Sequence, residues 1–159
     1  MSVEIRPLRD EPTDIEIGVE LVREYVVATA QETGQDIAVI LTLIPELADF
    51  AARYLRGGAF LIARSGGQVD GGVGVTPGAG GTCEMNRLWM RPASRRTGLG
   101  RALCLASMEA ARDLGFRRMT LDVVPTRTHA IALYRSLGFV ATTPMHTYPF
   151  DMIPLGRDL

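Results

Sequence analysis

The sequence predicts one α/β domain, and three observations predict it. Three strand-length runs follow one another, Ala59 to Arg64, Gly71 to Thr76 and Cys83 to Met90, with glycine-rich links between them. Links that tight join antiparallel neighbours, so the middle of the chain reads as a meander. A junction of helix, glycine, aromatic and strand then occurs twice, as Asp113-Leu114-Gly115-Phe116 and as Ser136-Leu137-Gly138-Phe139. Glycine takes the left-handed conformation that closes a helix, and the Phe folds back onto the last turn. Finally, 159 residues suit a single domain with one core, spanning residues 1–159.

The elements follow in order. Val3-Glu4-Ile5-Arg6-Pro7 alternates as a short strand does. A helix is expected from Thr13 or Asp14, either of which can cap it. Ile15, Val19, Val22 and Val26 recur at helical spacing, and the pattern breaks at Gly34. Pro45 suits a first helical position. From there Leu47, Phe50, Ala51, Tyr54 and Leu55 share the face of a second helix, which Gly57-Gly58 ends. The meander comes next, with turns at Ser65 to Gln68 and Pro77 to Gly81. A helix from Gly98 to Leu114 buries Leu99, Ala102, Leu103, Ala106 and Ala110. Met119 to Val124 is a strand, buried enough to lack clean alternation. Ala130, Leu133, Tyr134 and Leu137 mark a shorter helix. Phe139 to Thr143 and Met152 to Leu155 end the chain as strands.

Composition excludes several classes of partner. A net charge of -1 gives no global attraction to nucleic acid or to an anionic membrane. All 17 basic residues are Arg. The longest apolar run, Ile37 to Ile44, stops at Pro45-Glu46 and is far too short to cross a bilayer. The first residues, Met-Ser-Val-Glu-Ile-Arg, are acidic too early for a signal peptide. Cys83 and Cys104 read as buried thiols, which fits a reducing cytoplasm. Two His and two Cys in no ligand spacing predict no metal site.

The most informative stretch is Leu88 to Arg101, which runs strand, loop and glycine-bearing helix start. A helix N-terminus presents unpaired N–H groups and partial positive charge. Gly98 and Gly100 carry no side chain to hold an anion away, and Arg95, Arg96 and Arg101 add charge at the same end. This is a site for a di- or polyphosphate. The plain alternative is a turn with no ligand. The Walker motif needs a Lys, and none exists; the Rossmann fingerprint needs a third glycine, and Ala102-Leu103 stand there.

Arg95-Arg96-Thr97-Gly98-Leu99-Gly100 resembles the pyrophosphate loop of GNAT acetyltransferases, Gln/Arg-x-x-Gly-x-Gly/Ala. Glu84 to Pro92 is similar to that family's fourth strand, and Ala130 to Phe139 to its last helix and return strand. The resemblance covers Cys83 to Thr143 in the right order. It implies the GNAT fold: a mixed, mostly antiparallel central sheet, splayed between strands 4 and 5 and flanked by about four helices. It also implies acetyl-CoA as cosubstrate, lying in the gap. By position, Leu88, Trp89 and Met90 would face the acetyl and pantetheine parts. Arg95, Arg96, Thr97, Gly98, Leu99, Gly100 and Arg101 would hold the pyrophosphate. Many relatives carry Asn where Arg127 stands, so Arg127 or Thr128 would make the pantetheine contact differently.

Acetyl transfer to nitrogen needs a neutral amine, although a free alkyl amine has a pKa of about 10. It also needs donors for the tetrahedral oxyanion and a proton for the leaving thiolate. The resemblance implies direct attack in a ternary complex, with a backbone N–H between Leu88 and Met90 as the oxyanion donor. Tyr134 is the candidate acid for the leaving thiolate, since it matches the tyrosine that relatives place near the sulfur; its alternative is a core residue. Glu84, 14 positions before Gly98, matches a strand glutamate used as base. Its alternative is a strand-end carboxylate paired with Arg87 or Arg118. His146 is a weaker candidate base, and His129 reads as a first-turn residue. The run Arg87, Arg91, Arg95, Arg96 and Arg101 lacks interleaved aromatics apart from Trp89, so nucleic acid is not expected. The acceptor amine is left open, with a small molecule favoured over a protein. Glu32, Asp36, Glu46 and Asp49 are candidates to attract it. A non-catalytic acyl-CoA sensor and a protein N-acetyltransferase are the alternative readings, and a homodimer is compatible with the sequence.

Overall fold

The glycine-rich links close the meander as the sequence predicts. In the computed structural model, which describes residues 2–159, β1 (Val3–Pro7) leads to α1 (Pro12–Thr33), α2 (Ile37–Leu41) and α3 (Phe50–Tyr54). The hairpins β2 (Ala59–Ser65), β3 (Gln68–Pro77) and β4 (Thr82–Met90) follow. Then come α4 (Leu99–Asp113), β5 (Arg118–Val123), α5 (Thr128–Ser136), β6 (Val140–Ala141) and β7 (Ile153–Asp158). The seven strands form one sheet in the order β1-β2-β3-β4-β5-β7-β6. Every pairing is antiparallel except β4 with β5. No helix of the described residues is long and apolar enough to cross a membrane.

Helices cover both faces. Leu103 and Met108 of α4, Ile131 of α5 and Leu137 just after it pack with Met85, Met119 and Leu121 on one face. Leu21, Val22 and Val26 of α1 pack with Phe50, Phe60 and Ile62 on the other. Strand β2 shows why alternation is hard to read: Leu61 and Ala63 face α4, while Phe60 and Ile62 face α1. A strand covered on both sides is apolar on both.

The two repeated junctions are the same helix stop. Phe116 N–H donates to Ala111 O and Gly115 N–H to Arg112 O. Phe139 N–H donates to Tyr134 O and Gly138 N–H to Arg135 O. Gly115 and Gly138 have φ of 90° and 91°, the left-handed turn of a Schellman cap.

The first third differs from expectation. Helix α1 starts at Pro12, so neither Thr13 nor Asp14 caps it. Asp14 is buried and accepts hydrogen bonds from Arg6 at 2.8 and 2.9 Å and from Arg9 N–H at 2.7 Å. The apolar run from Ile37 forms the extra helix α2, capped by Asp36, and makes five helices where about four are expected. Pro45 opens only a 3-10 turn; Asp49 caps the helix that follows, accepting from Ala52 N–H.

Candidate active site

The splay starts where pairing stops. Strand β4 pairs with β5 only through Thr82, Cys83 and Glu84, so its edge from Met85 to Met90 is left without a strand partner. Opposite Val73 the register of β3 and β4 shifts by one residue, and Arg87 takes φ of 56°. An extra residue turns side chains to the other face. Cys83 and Met85 face α4; after the bulge Leu88 and Met90 do so, and Trp89 packs on the α1 side. The resulting gap is lined from one face by Leu88, Leu121 and Tyr134, and from the other by Tyr25, Arg87 and Arg127. The gap therefore passes through the sheet.

At the α4 end, donors are unusually free. Among the described residues, the backbone N–H groups from Arg96 to Arg101 donate to no protein carbonyl; the first that does is Ala102, to Gly98 O. Arg96 and Gly98 have φ of 62° and 82°, and backbone that alternates hand in this way forms concave anion-binding nests. Arg96 and Arg101 reach His129 and Ser136 at 3.5 and 3.3 Å, so both stand between α4 and α5. Arg95 instead folds back, donating to Met90 O at 3.0 Å and lying over the Trp89 ring at 4.9 Å. The Trp89 indole donates to Glu24. Its side chain points away from α4, so only its backbone is left to face the gap.

Tyr134 is buried with its ring against Phe139. Burial pushes its phenol well above the ordinary range, with Cys104 and Tyr25 adding to the shift and Arg127 opposing it. Its hydroxyl forms no hydrogen bond among the described residues, and Tyr134 lines the gap. Arg127 bonds to Glu32 and to Thr29 Oγ1 and lies over Tyr25 at 4.8 Å. Its guanidinium thus latches the loop before α5 onto α1.

The other face opens into a cavity of about 320 Å³. Glu84 projects into it, and its Oε2 lies 2.6 Å from His146 Nε2. Asp122 stands beside them; the three groups offer atoms within 4.8 Å of one another. The Tyr148 hydroxyl donates to Asp122 Oδ2 at 2.8 Å. Burial raises the Asp122 pKa and Glu84 adds to the rise, against the opposing pull of Tyr148 and His146. Deeper in the wall, Glu46 is fully buried. It accepts from Arg87 Nε at 2.8 Å and from the Tyr54 hydroxyl at 2.8 Å. Burial alone would raise its pKa, but Arg87 and Arg53 outweigh burial and hold it low.

The comparisons agree with this geometry. The model of the acetyltransferase (GNAT) family matches residues 19–139. The chain belongs to that family. Membership makes it an acetyltransferase. An uncharacterized N-acetyltransferase of Schizosaccharomyces pombe is 37% identical over 145 residues, covering 89% of this chain and 86% of its own. A second, from Escherichia coli, is 40% identical over 86 residues, 52% of each chain. The PaiA N-acetyltransferase of Thermoplasma acidophilum, solved in complex with coenzyme A, shares the fold at a TM-score of 0.78 and 21% identity, with all of both chains covered.

Within this GNAT member, several expected residues are committed elsewhere. Glu84 pairs with neither Arg87 nor Arg118; its partner is His146, and Arg118 pairs with Asp158. Asp36 and Asp49 are helix caps, Glu32 holds Arg127 and Glu46 is buried, so none of the four acceptor carboxylates is free. Arg87 and Arg91 are held by carboxylates, Glu46 in one case and Glu20 and Glu24 in the other. Burial pushes the Cys83 and Cys104 thiols up to about 11 and about 12, which leaves both inert as nucleophiles. Asp122, Tyr148 and Arg53 are absent from the sequence-level candidates. The one legible signal among them is Asp122, a lone acid in the apolar run Met119 to Val124.

Proposed function

We propose that this acetyltransferase moves the acetyl group of acetyl-CoA directly to an amine, with both substrates bound at once. The gap in the sheet carries the reading, because it runs along the free edge of β4 to Tyr134 and shares Tyr25, Asn86, Arg87 and Asp122 with the wall of the Glu84 cavity. Solved neighbours with coenzyme A or acetyl-CoA bound support the choice of donor. Arg96 to Arg101 hold the pyrophosphate, with Arg95 at the rim, and the free edge of β4 at Leu88 to Met90 faces the thioester. An N–H on that edge stabilises the oxyanion.

The amine nitrogen attacks the acetyl carbonyl carbon, and collapse of the tetrahedral intermediate breaks the C–S bond. Glu84 and His146 act as one base. A neutral His146 that donates Nε2–H to Glu84 keeps a lone pair on Nδ1, and the carboxylate stabilises the imidazolium that forms. Tyr134 serves the leaving sulfur by hydrogen bonding. A buried phenol held above the ordinary pKa is a weaker acid than a thiol at about 8.5. Full transfer from Tyr134 is therefore uphill, and the thiolate takes its proton from solvent.

Turnover against pH tests the base. Glu84→Gln should lower turnover by about 10²-fold near neutral pH, and the deficit should shrink as pH rises and more acceptor arrives neutral. Adding His146→Gln to Glu84→Gln should cost little more, since the two act as a unit. Parallel pH profiles with additive losses would remove both from the mechanism.

A further inference from the structure

The cavity beside Glu84 is lined by groups of both charges. Glu84, Asp122 and His146 cluster in its wall. Arg53 and Arg87 line it as well. Among the described residues, one carboxylate, the buried Glu46, pairs with both of those guanidiniums. One carboxylate shared by two guanidiniums leaves a net positive charge in that group.

The donors there are also unfilled. Arg87 uses Nε and Nη2 on Glu46 and on Leu43 O, and its Nη1 has no partner among the described residues. Arg53 Nε lies 3.3 Å from Glu46 Oε1, an ion pair without hydrogen-bond geometry. That Nε is shut from solvent, so a ligand reaches Arg53 only through its two terminal nitrogens. In the wall of a ligand cavity, an acceptor on the ligand fills those donors and Nη1 of Arg87. Guanidiniums match the planar fork of a carboxylate better than any other common anion of small metabolites apart from phosphate.

We propose that the acceptor is a small amino carboxylate, an amino acid or close analogue. Its carboxylate sits against Arg53 and Arg87, and its amine is presented to Glu84 and His146. This rests on the acetyl-transfer reading above and names that reaction's substrate class. A zwitterion answers both charged groups at once, whereas a simple amine leaves the guanidiniums without an anion. Leu43, Ile44 and Phe150 also line the cavity, which suits an apolar side chain. A cavity of about 320 Å³ accommodates a molecule of that size.

The test measures coenzyme A release with free leucine, methionine and phenylalanine, and with their methyl esters and decarboxylated amines. The free acids should exceed the esters in kcat/KM by about tenfold or more, the scale of a charge-assisted hydrogen bond. Ester amines are the less basic and so the more often neutral, which biases the comparison against the proposal. Arg53→Gln, checked by thermal melt, should lower that ratio mainly through KM for the acid. Esters and simple amines acetylated as well as the acids would overturn the assignment. So would a protein that binds acetyl-CoA but acetylates no free amino acid. Failure to bind acetyl-CoA by calorimetry is a different result, and it would remove the transfer reading itself.

Discussion

Tyr134 shows how one side chain takes its role from its surroundings. Its ring belongs to the core with Phe139, and only its hydroxyl is unspent. Tyr134→Phe keeps the packing and removes the hydrogen bond proposed to the departing sulfur. Turnover should fall by about tenfold to a hundredfold, the range for a hydrogen bond to a charged group. Acetyl-CoA affinity by calorimetry should hold, because the bond strengthens only as charge develops on sulfur. Wild-type turnover in this variant would return Tyr134 to a packing role. Arg87 makes a related point about strain. It is a non-glycine residue with φ of 56°, and such conformations persist only where the surroundings fix them. Glu46, Leu43 O and Tyr25 hold its guanidinium, and the bulge at its backbone turns Leu88 toward the α4 face.

At the scale of elements, the start of α4 is the anchor proposed for the cofactor. Gly98 is a poor reporter of that role, because its φ of 82° makes any side chain strain the loop itself. Gly100 is a good one: an added Cβ would meet Leu133 and Met90 at 3.7 and 4.0 Å, ordinary contact distances. Gly100→Ala should leave the melting temperature unchanged or raise it, since alanine favours helix. Acetyl-CoA should nevertheless bind about tenfold more weakly, for the loss of one charge-assisted bond. Unchanged affinity would contradict the anchor. The β1–α1 corner is held differently. Hydrogen bonds from Arg6 lower the Asp14 pKa to about 2 against the opposing effect of burial, with Arg9 N–H helping. The folded pKa is depressed, so the contribution is complete above about pH 4 and is lost as pH falls toward about 2. Asp14→Asn should cost about 1–3 kcal/mol at neutral pH. Melts across that window should show the gap from wild type closing as acid protonates Asp14.

Over the whole molecule, what was legible depended on distance along the chain. The meander, the Schellman stops and the glycine-bearing start of α4 are local, and each follows from residues a few positions apart. The N-terminal third is less legible, because Asp14, Asp36 and Asp49 are all plausible caps; Asp36 and Asp49 do cap, whereas tertiary contacts commit Asp14 to Arg6 and Arg9. The cavity was least legible. Glu84 meets His146 across 62 positions, and Arg87 meets Glu46 across 41; neither pairing has a local pattern. The complete arrangement puts the unpaired N–H groups of α4 on one face of the sheet and the Glu84 cavity on the other, with the splay between them and both cysteines buried. That layout supports the proposed direct transfer in a ternary complex. Initial rates at several fixed acetyl-CoA concentrations, with an acceptor the enzyme turns over, test it most directly. The account predicts intersecting double-reciprocal lines; parallel lines, with acetyl group retained on the protein when acceptor is withheld, would contradict it.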